Sequence, residues 1–257
     1  MCKILSLIFY LILLITFQGQ TQSLEKDYEL IVSEFISCVA TKNVHKIKKI
    51  ISYPLTREYP LPQVNNEKEF ILRFEEIFDI HLNNKIIRSN FEKDWEVIGS
   101  RGIMLDNGSI WLDYDGKLLL INDLSEKEKI KRRELIEKNK SLLHKSLQNF
   151  KKPVLEIKTA EFLIRIDQLD SGFRYASWPA RSSMKEKPSL VLVNGGIFPQ
   201  GSMGDIHFKF KNKNYTYVCE KIILGDWDSP PAVLKVYKDN KLILEQTGRI
   251  QDPNKKN

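Results

Sequence analysis

Three cysteines in 257 residues are too few for a disulfide framework, and the four histidines, His45, His81, His144 and His207, are scattered rather than clustered. No Cys/His spacing resembles a zinc site, so no metal ligand set is expected. The glycine-rich stretch from Asn194 to Asp205 lacks the Lys-Ser/Thr of a phosphate loop and no helical pattern follows it, which excludes a nucleotide-binding P-loop. Internal repeats and low-complexity tracts are absent. No apolar run reaches the roughly 20 residues of a membrane-spanning helix. No nucleophile is paired with a base, and no cofactor is expected.

The chain is basic, with 40 Lys and Arg against 33 Asp and Glu, a formal charge of +7. The excess is diffuse, because lysine-rich stretches also carry acidic residues; no nucleic acid partner is expected. The first residues are more informative. Lys3 precedes a charge-free run from Ile4 to Phe17, and Gln18 to Ser23 is small and polar. That is the order of a secretory signal peptide over 1–22, so the mature chain is expected to be secreted or periplasmic, with no stable membrane span after cleavage. Cleavage removes Cys2. Cys38 and Cys219 are expected as buried free thiols, although export also permits a bridge.

Helical spacing marks Leu24 to Thr41, a short segment from Val44 to Ile51, a helix opened by Asn66 with Glu69 three residues on, and His81 to Glu92. Three prolines make Tyr53 to Pro62 an extended connection. From Ser100 to Asn122 the pattern is a β-meander, with Asn107-Gly108 and Asp115-Gly116 supplying the turns. Ile103 to Leu105 and Leu118 to Ile121 are apolar without alternation, so both faces are expected to be covered, by the second domain or, in a homodimer through the meander, by another copy. Helices followed by an antiparallel sheet give an α+β domain over 23–124.

Residues 125–152 read as a charged helical connector whose Ile136, Leu143, Leu147 and Phe150 form one stripe. Seven short strand patterns follow within 153–250: Phe162 to Ile166, Phe173 to Trp178, Leu190 to Val193, Ile206 to Phe210, Tyr215 to Cys219, Val233 to Tyr237 and Leu242 to Leu244. This is an all-β sandwich or small barrel. A polar tail, 251–257, closes the chain.

The opening helix, the short second helix ending at Tyr53-Pro54-Leu55, the third helix and the Asp-Gly-Lys-Leu strand together resemble the NTF2-like cone, which implies a pocket between helices and sheet. The mature chain also resembles a family of secreted, functionally uncharacterised bacterial proteins. Tyr53 to Leu55, Tyr59 to Pro62, Arg101 to Leu105, Leu135 to Glu137 and Arg174 to Trp178 carry that likeness, and it implies export without an activity.

Candidates for chemistry are few. Asp79 and His81 bracket a helix end and, with Tyr59 or Trp111, would serve an enzyme (a hydrolase or isomerase) sited in the cone pocket. Asp106, Asp113 and Asp115 suit turns better than calcium. Tyr175, Trp178, Phe198, Gly201 and Trp227 are the candidates for binding a protein, peptide or glycan, with Trp178 expected to be the most exposed aromatic. The leading expectation is an exported, non-catalytic binding protein. A pocket enzyme is the alternative, and an inhibitor of a hydrolase acting through Gly195 to Gly204 is a third reading.

Overall fold

The structure, a computed structural model, describes residues 26–200, 205–222 and 229–251. The expected signal peptide, Gly201, Trp227 and the tail beyond Gln251 lie outside the described residues. The chain forms two compact units. One runs to Glu58 and resumes over Gln63–Ile130; the other comprises Tyr59–Pro62 and the chain from Lys131 onward.

The N-terminal unit joins helices to a four-stranded sheet. Helix α1 covers 26–40, and α2 (Val44–Ile47) passes into a 3-10 turn, Lys48–Ile50. Helix α3 (Glu67–Ile77) begins where expected: Asn66 Oδ1 accepts from the Glu69 N–H at 3.1 Å, and the Glu69 carboxylate accepts from the Asn65 N–H at 2.8 Å. Its Phe70, Phe74 and Ile77 are buried, each contributing roughly 1.5–3 kcal/mol. Helix α4 (Ile80–Arg88) and the single turn α5 (Phe91–Asp94) lead into the sheet.

The meander is antiparallel in the order β1 (Trp95–Val97), β2 (Ile103–Leu105), β3 (Ile110–Leu112) and β4 (Leu118–Ile121). Asn107 and Gly108 both take positive φ, with Asp106 beside them. The next turn differs from expectation. Only Gly116 of its Asp-Gly pair has positive φ, and Asp113 Oδ1 holds the loop by accepting from the N–H groups of Asp115 and Lys117. Gly102 is required, since at φ 108° a Cβ would lie 2.1 Å from the Leu112 carbonyl oxygen. Leu118 and Ile121 are buried, whereas Leu119 and Leu120 are half-buried, so the second face is covered only in part.

The other unit is a closed, eight-stranded up-and-down barrel. Helix α6 (Glu126–Ser141), which belongs to this unit from Lys131 onward, precedes β5 (Lys152–Lys158), β6 (Phe162–Leu169), β7 (Gly172–Pro179), β8 (Leu190–Gln200), β9 (Asp205–Asn212), β10 (Tyr215–Lys221), β11 (Ala232–Lys238) and β12 (Lys241–Ile250). Each strand pairs with its successor, and β12 closes on β5 through Arg249↔Lys158 and Ile250↔Ile157. β5 was not among the expected strands. β8 also runs past Val193 through the expected loop, because glycine is needed there for packing: a Cβ on Gly195 would lie 2.1 Å from the Phe210 ring.

Side chains fill the barrel. Ile164, Ile166, Tyr175, Phe208 and Phe210 are buried in one cluster, and the Tyr175 ring lies 5.6 Å from both Phe210 and Tyr217. A second cluster lies outside β7, where Ile136, Leu143, Leu147 and Phe150 bury Ala176 and Trp178. The apolar stripe read from the sequence thus docks as expected, although the helix ends at Ser141 and only a 3-10 turn, Lys145–Leu147, continues it.

Candidate functional site

Asp79 and His81 are brought together at the N-terminus of α4. Asp79 caps the helix, its Oδ1 accepting from the Leu82 N–H at 2.9 Å, and His81 is exposed in the first turn. His81 therefore sits at a helix start as well as just beyond the end of α3. Both residues line an open cleft of about 590 Å³ with Lys85, Asp123 and Lys129. Lys85 Nζ bridges Asp123 at 2.7 Å and Asp106 at 2.9 Å. Partial burial lowers the Lys85 pKa, but the hydrogen bonds it donates to these carboxylates outweigh it and leave the ammonium's pKa raised.

The cleft lies on the surface of the unit. Between helices and sheet, Phe70, Phe74 and Phe78 pack against one another with ring centroids 5.5–5.9 Å apart. Trp111 is half-buried on β3 beside Gly108 and does not line the cleft. Tyr59 falls in the other unit, as a polar neighbour of Glu156.

Two of the binding candidates are buried. Tyr175 points into the barrel, and Trp178, expected to be exposed, retains 1% exposure, its Nε1 donating to the Glu186 carbonyl at 2.9 Å. Its burial follows from Phe150 and the stripe of α6, which cover that end of β7. Phe198 is 47% exposed on the outer side of β8.

A buried ionic network on β5 to β7 escaped the sequence reading. Asp167 receives Arg165 Nε and Arg174, each at 2.7 Å; Arg165 also pairs with Glu156. Arg174 donates to the carbonyls of Leu147 and Asn149, and the Phe150 ring lies 5.1 Å from the Arg165 guanidinium. Burial raises the Glu156 pKa against the opposing pull of Arg165. With every charge partnered inside the unit, this network fixes the segment after α6 onto the barrel and offers no open face.

A second open groove, of about 590 Å³, lies over β9, β10 and β11. Phe208 and Phe210 point inward, so His207, Lys209 and Lys211 alternate outward. The antiparallel register places Val218 between Lys209 and Lys235, Thr216 between Lys211 and Tyr237, and Glu220 opposite His207. Lys235 Nζ holds both Glu220 oxygens at 3.0 Å, and His207 Nδ1 lies 3.7 Å from Oε1. Burial lowers the Lys235 pKa, but hydrogen bonding to Glu220 outweighs it and raises the ammonium. Lys209 Nζ lies 5.1 Å from the centre of the Phe198 ring. Among the described residues, no carboxylate pairs with Lys209 or Lys211.

Alternation identifies each of these lysines as outward-facing, but only strand pairing assembles them. The groove presents cations, a carboxylate, hydroxyl groups and an aromatic ring, a set suited to holding a polar ligand. The chain matches no known family profile, no curated protein and no solved structure. Among the described residues, no helix is long and apolar enough to cross a membrane.

Proposed function

We propose that the protein is an exported, non-catalytic binding protein whose working surface is the groove over β9 to β11, with the α+β unit, read as an NTF2-like cone, as its companion domain. The observation that carries this reading is the grouping of three lysines and one carboxylate along one open groove, with Phe198 paired to His207 beside it. Lys209, Lys211 and Phe198 point away from the barrel core, so its packing does not depend on them. The charge-free run from Ile4 to Phe17 after Lys3 supports export.

The test is a panel of immobilised glycans, peptides and proteins probed with the mature chain and with a Lys209→Glu, Lys211→Glu variant. Capture by the former and loss by the latter is the expected result; failure of the mature chain to bind anything at micromolar concentration rejects the proposal. N-terminal sequencing of the protein from culture fractions tests export.

The meeting of Asp79 and His81 in one cleft favours a second reading, a hydrolase or isomerase in the N-terminal unit. Turnover abolished by both Asp79→Asn and His81→Ala would establish it. A homodimer through the meander rests on the half-buried Leu119 and Leu120; replacing both by Lys should then dissociate the dimer.

A further inference from the structure

We infer that the groove takes an acidic oligosaccharide, a chain bearing both carboxylates and free hydroxyl groups; this rests on the binding reading above. The mixture of polar groups in the groove points this way. Lysine offers donors only, and three lysines alone would suit any polyanion. Glu220, however, stands at one end of the groove on its central strand, opposite His207 on β9 and bound to Lys235 on β11. An ionised carboxylate is an acceptor without a donor, so it repels a phosphate backbone and attracts a hydroxyl. Thr216, Tyr237 and Asn240 add groups that both donate and accept. A ligand that must satisfy all of these carries anionic and hydroxyl groups together.

Spacing gives the same answer. Lys209 and Lys211 are two residues apart on one strand, about 7 Å, and Lys209 and Lys235 flank Val218 across three strands, about 10 Å. Their ammonium groups are also drawn apart, one over Phe198 and another onto Glu220, so they do not converge on a single anion. They are placed to meet charges spread along a chain. The exposed Phe198 ring offers an apolar face of the kind on which the C–H face of a sugar ring rests. A single-stranded nucleic acid would instead need a succession of aromatic platforms along a continuous cationic track, and here one exposed ring borders three lysines separated by Val218 and Thr216, with Glu220 at the end of the row.

The experiment is amide-resolved NMR titration of the full mature protein with hexagalacturonate, maltohexaose, linear polyphosphate and a short single-stranded DNA, repeated with Glu220→Ala and with Lys209→Gln, Lys211→Gln. Circular dichroism and melting confirm that both variants fold. The expected result is that hexagalacturonate shifts amides of β9 to β11 and binds roughly tenfold tighter than maltohexaose, with added salt weakening it. The lysine variant should bind it several-fold more weakly, and Glu220→Ala should weaken it as well. Glu220→Ala should strengthen polyphosphate, because a repelling charge has gone; that opposite sign separates the two ligand classes. Tighter binding of polyphosphate or DNA at the same amides overturns the sugar assignment and leaves the groove reading intact. If no probe shifts these amides, the groove reading itself falls.

Discussion

Arg57 and Glu128 form an ion pair in which neither side chain has any exposed surface. The Arg57 Nε donates to Glu128 Oε1 at 2.7 Å, and its remaining donors reach the carbonyls of Ile121 and Asp123. Truncating Glu128 to Ala leaves a buried guanidinium with no carboxylate of its own, at a cost of about 3–5 kcal/mol. Replacing both partners with apolar residues, Arg57→Met with Glu128→Leu, should cost less than the single change, because no uncompensated charge remains. Chemical denaturation of the three proteins measures the difference; equal stabilities would mean that the pair is not buried in solution.

The contact between Gly195 and Phe210 makes a second prediction. Gly195→Ala forces a Cβ into the ring, and the barrel should lose about 1–3 kcal/mol. Shortening the ring, Phe210→Leu, should make the alanine cheaper in the double variant than on its own. Additive losses measured by thermal melting would place the ring elsewhere.

Thiol chemistry tests the packing of both units. Cys219 is buried in the barrel core, and burial pushes its thiol well above the ordinary range; Cys38 is half-buried and raised by burial, an effect that Lys46 partly offsets. In the native protein Cys38 should react slowly with a thiol reagent, and Cys219 should react only on unfolding. The count in denaturant also reports processing. Two thiols are expected if the leader with Cys2 has been removed and three if it is retained.

Alkaline pH should weaken one surface link. Since Lys85 has a raised pKa when folded, its ammonium binds its proton more tightly there than in the unfolded chain. Its contribution is therefore complete below the unfolded lysine value of about 10.4 and fades as pH rises through the higher folded value. The melting difference between the protein and Lys85→Met should stay constant from pH ~7 to ~10 and shrink above that. A difference that shrinks already near neutrality would show that the bridge to Asp123 and Asp106 does not form.

Local patterns in the sequence carried the helices, the meander and most of the barrel, because Phe70, Phe74 and Ile77 repeat at helical spacing and Phe208 and Phe210 alternate with His207 and Lys209. β5 was hidden by its own content. Pro153 and the buried Glu156 break the apolar alternation, and only the network with Arg165 makes that glutamate tolerable. Glu128 looked like part of a solvated helix face, since its partner Arg57 lies 71 residues earlier in a proline-rich segment. Trp178 is buried rather than exposed because Phe150, from before β5, forms one side of its pocket. The groove was invisible for a related reason: Lys209, Val218 and Lys235 are ordinary strand residues until the register of three strands aligns them.

Seven of the eight strand neighbours in the barrel are consecutive in sequence, and the eighth, β12 on β5, rests on two residue pairs. Each consecutive hairpin closes a short loop, while the last contact must bring together segments separated by nearly the whole barrel, where the entropy of closure is greatest. The order of assembly follows: the sheet grows hairpin by hairpin and the ring closes last, so the native barrel should open first along the seam between its first and last strands.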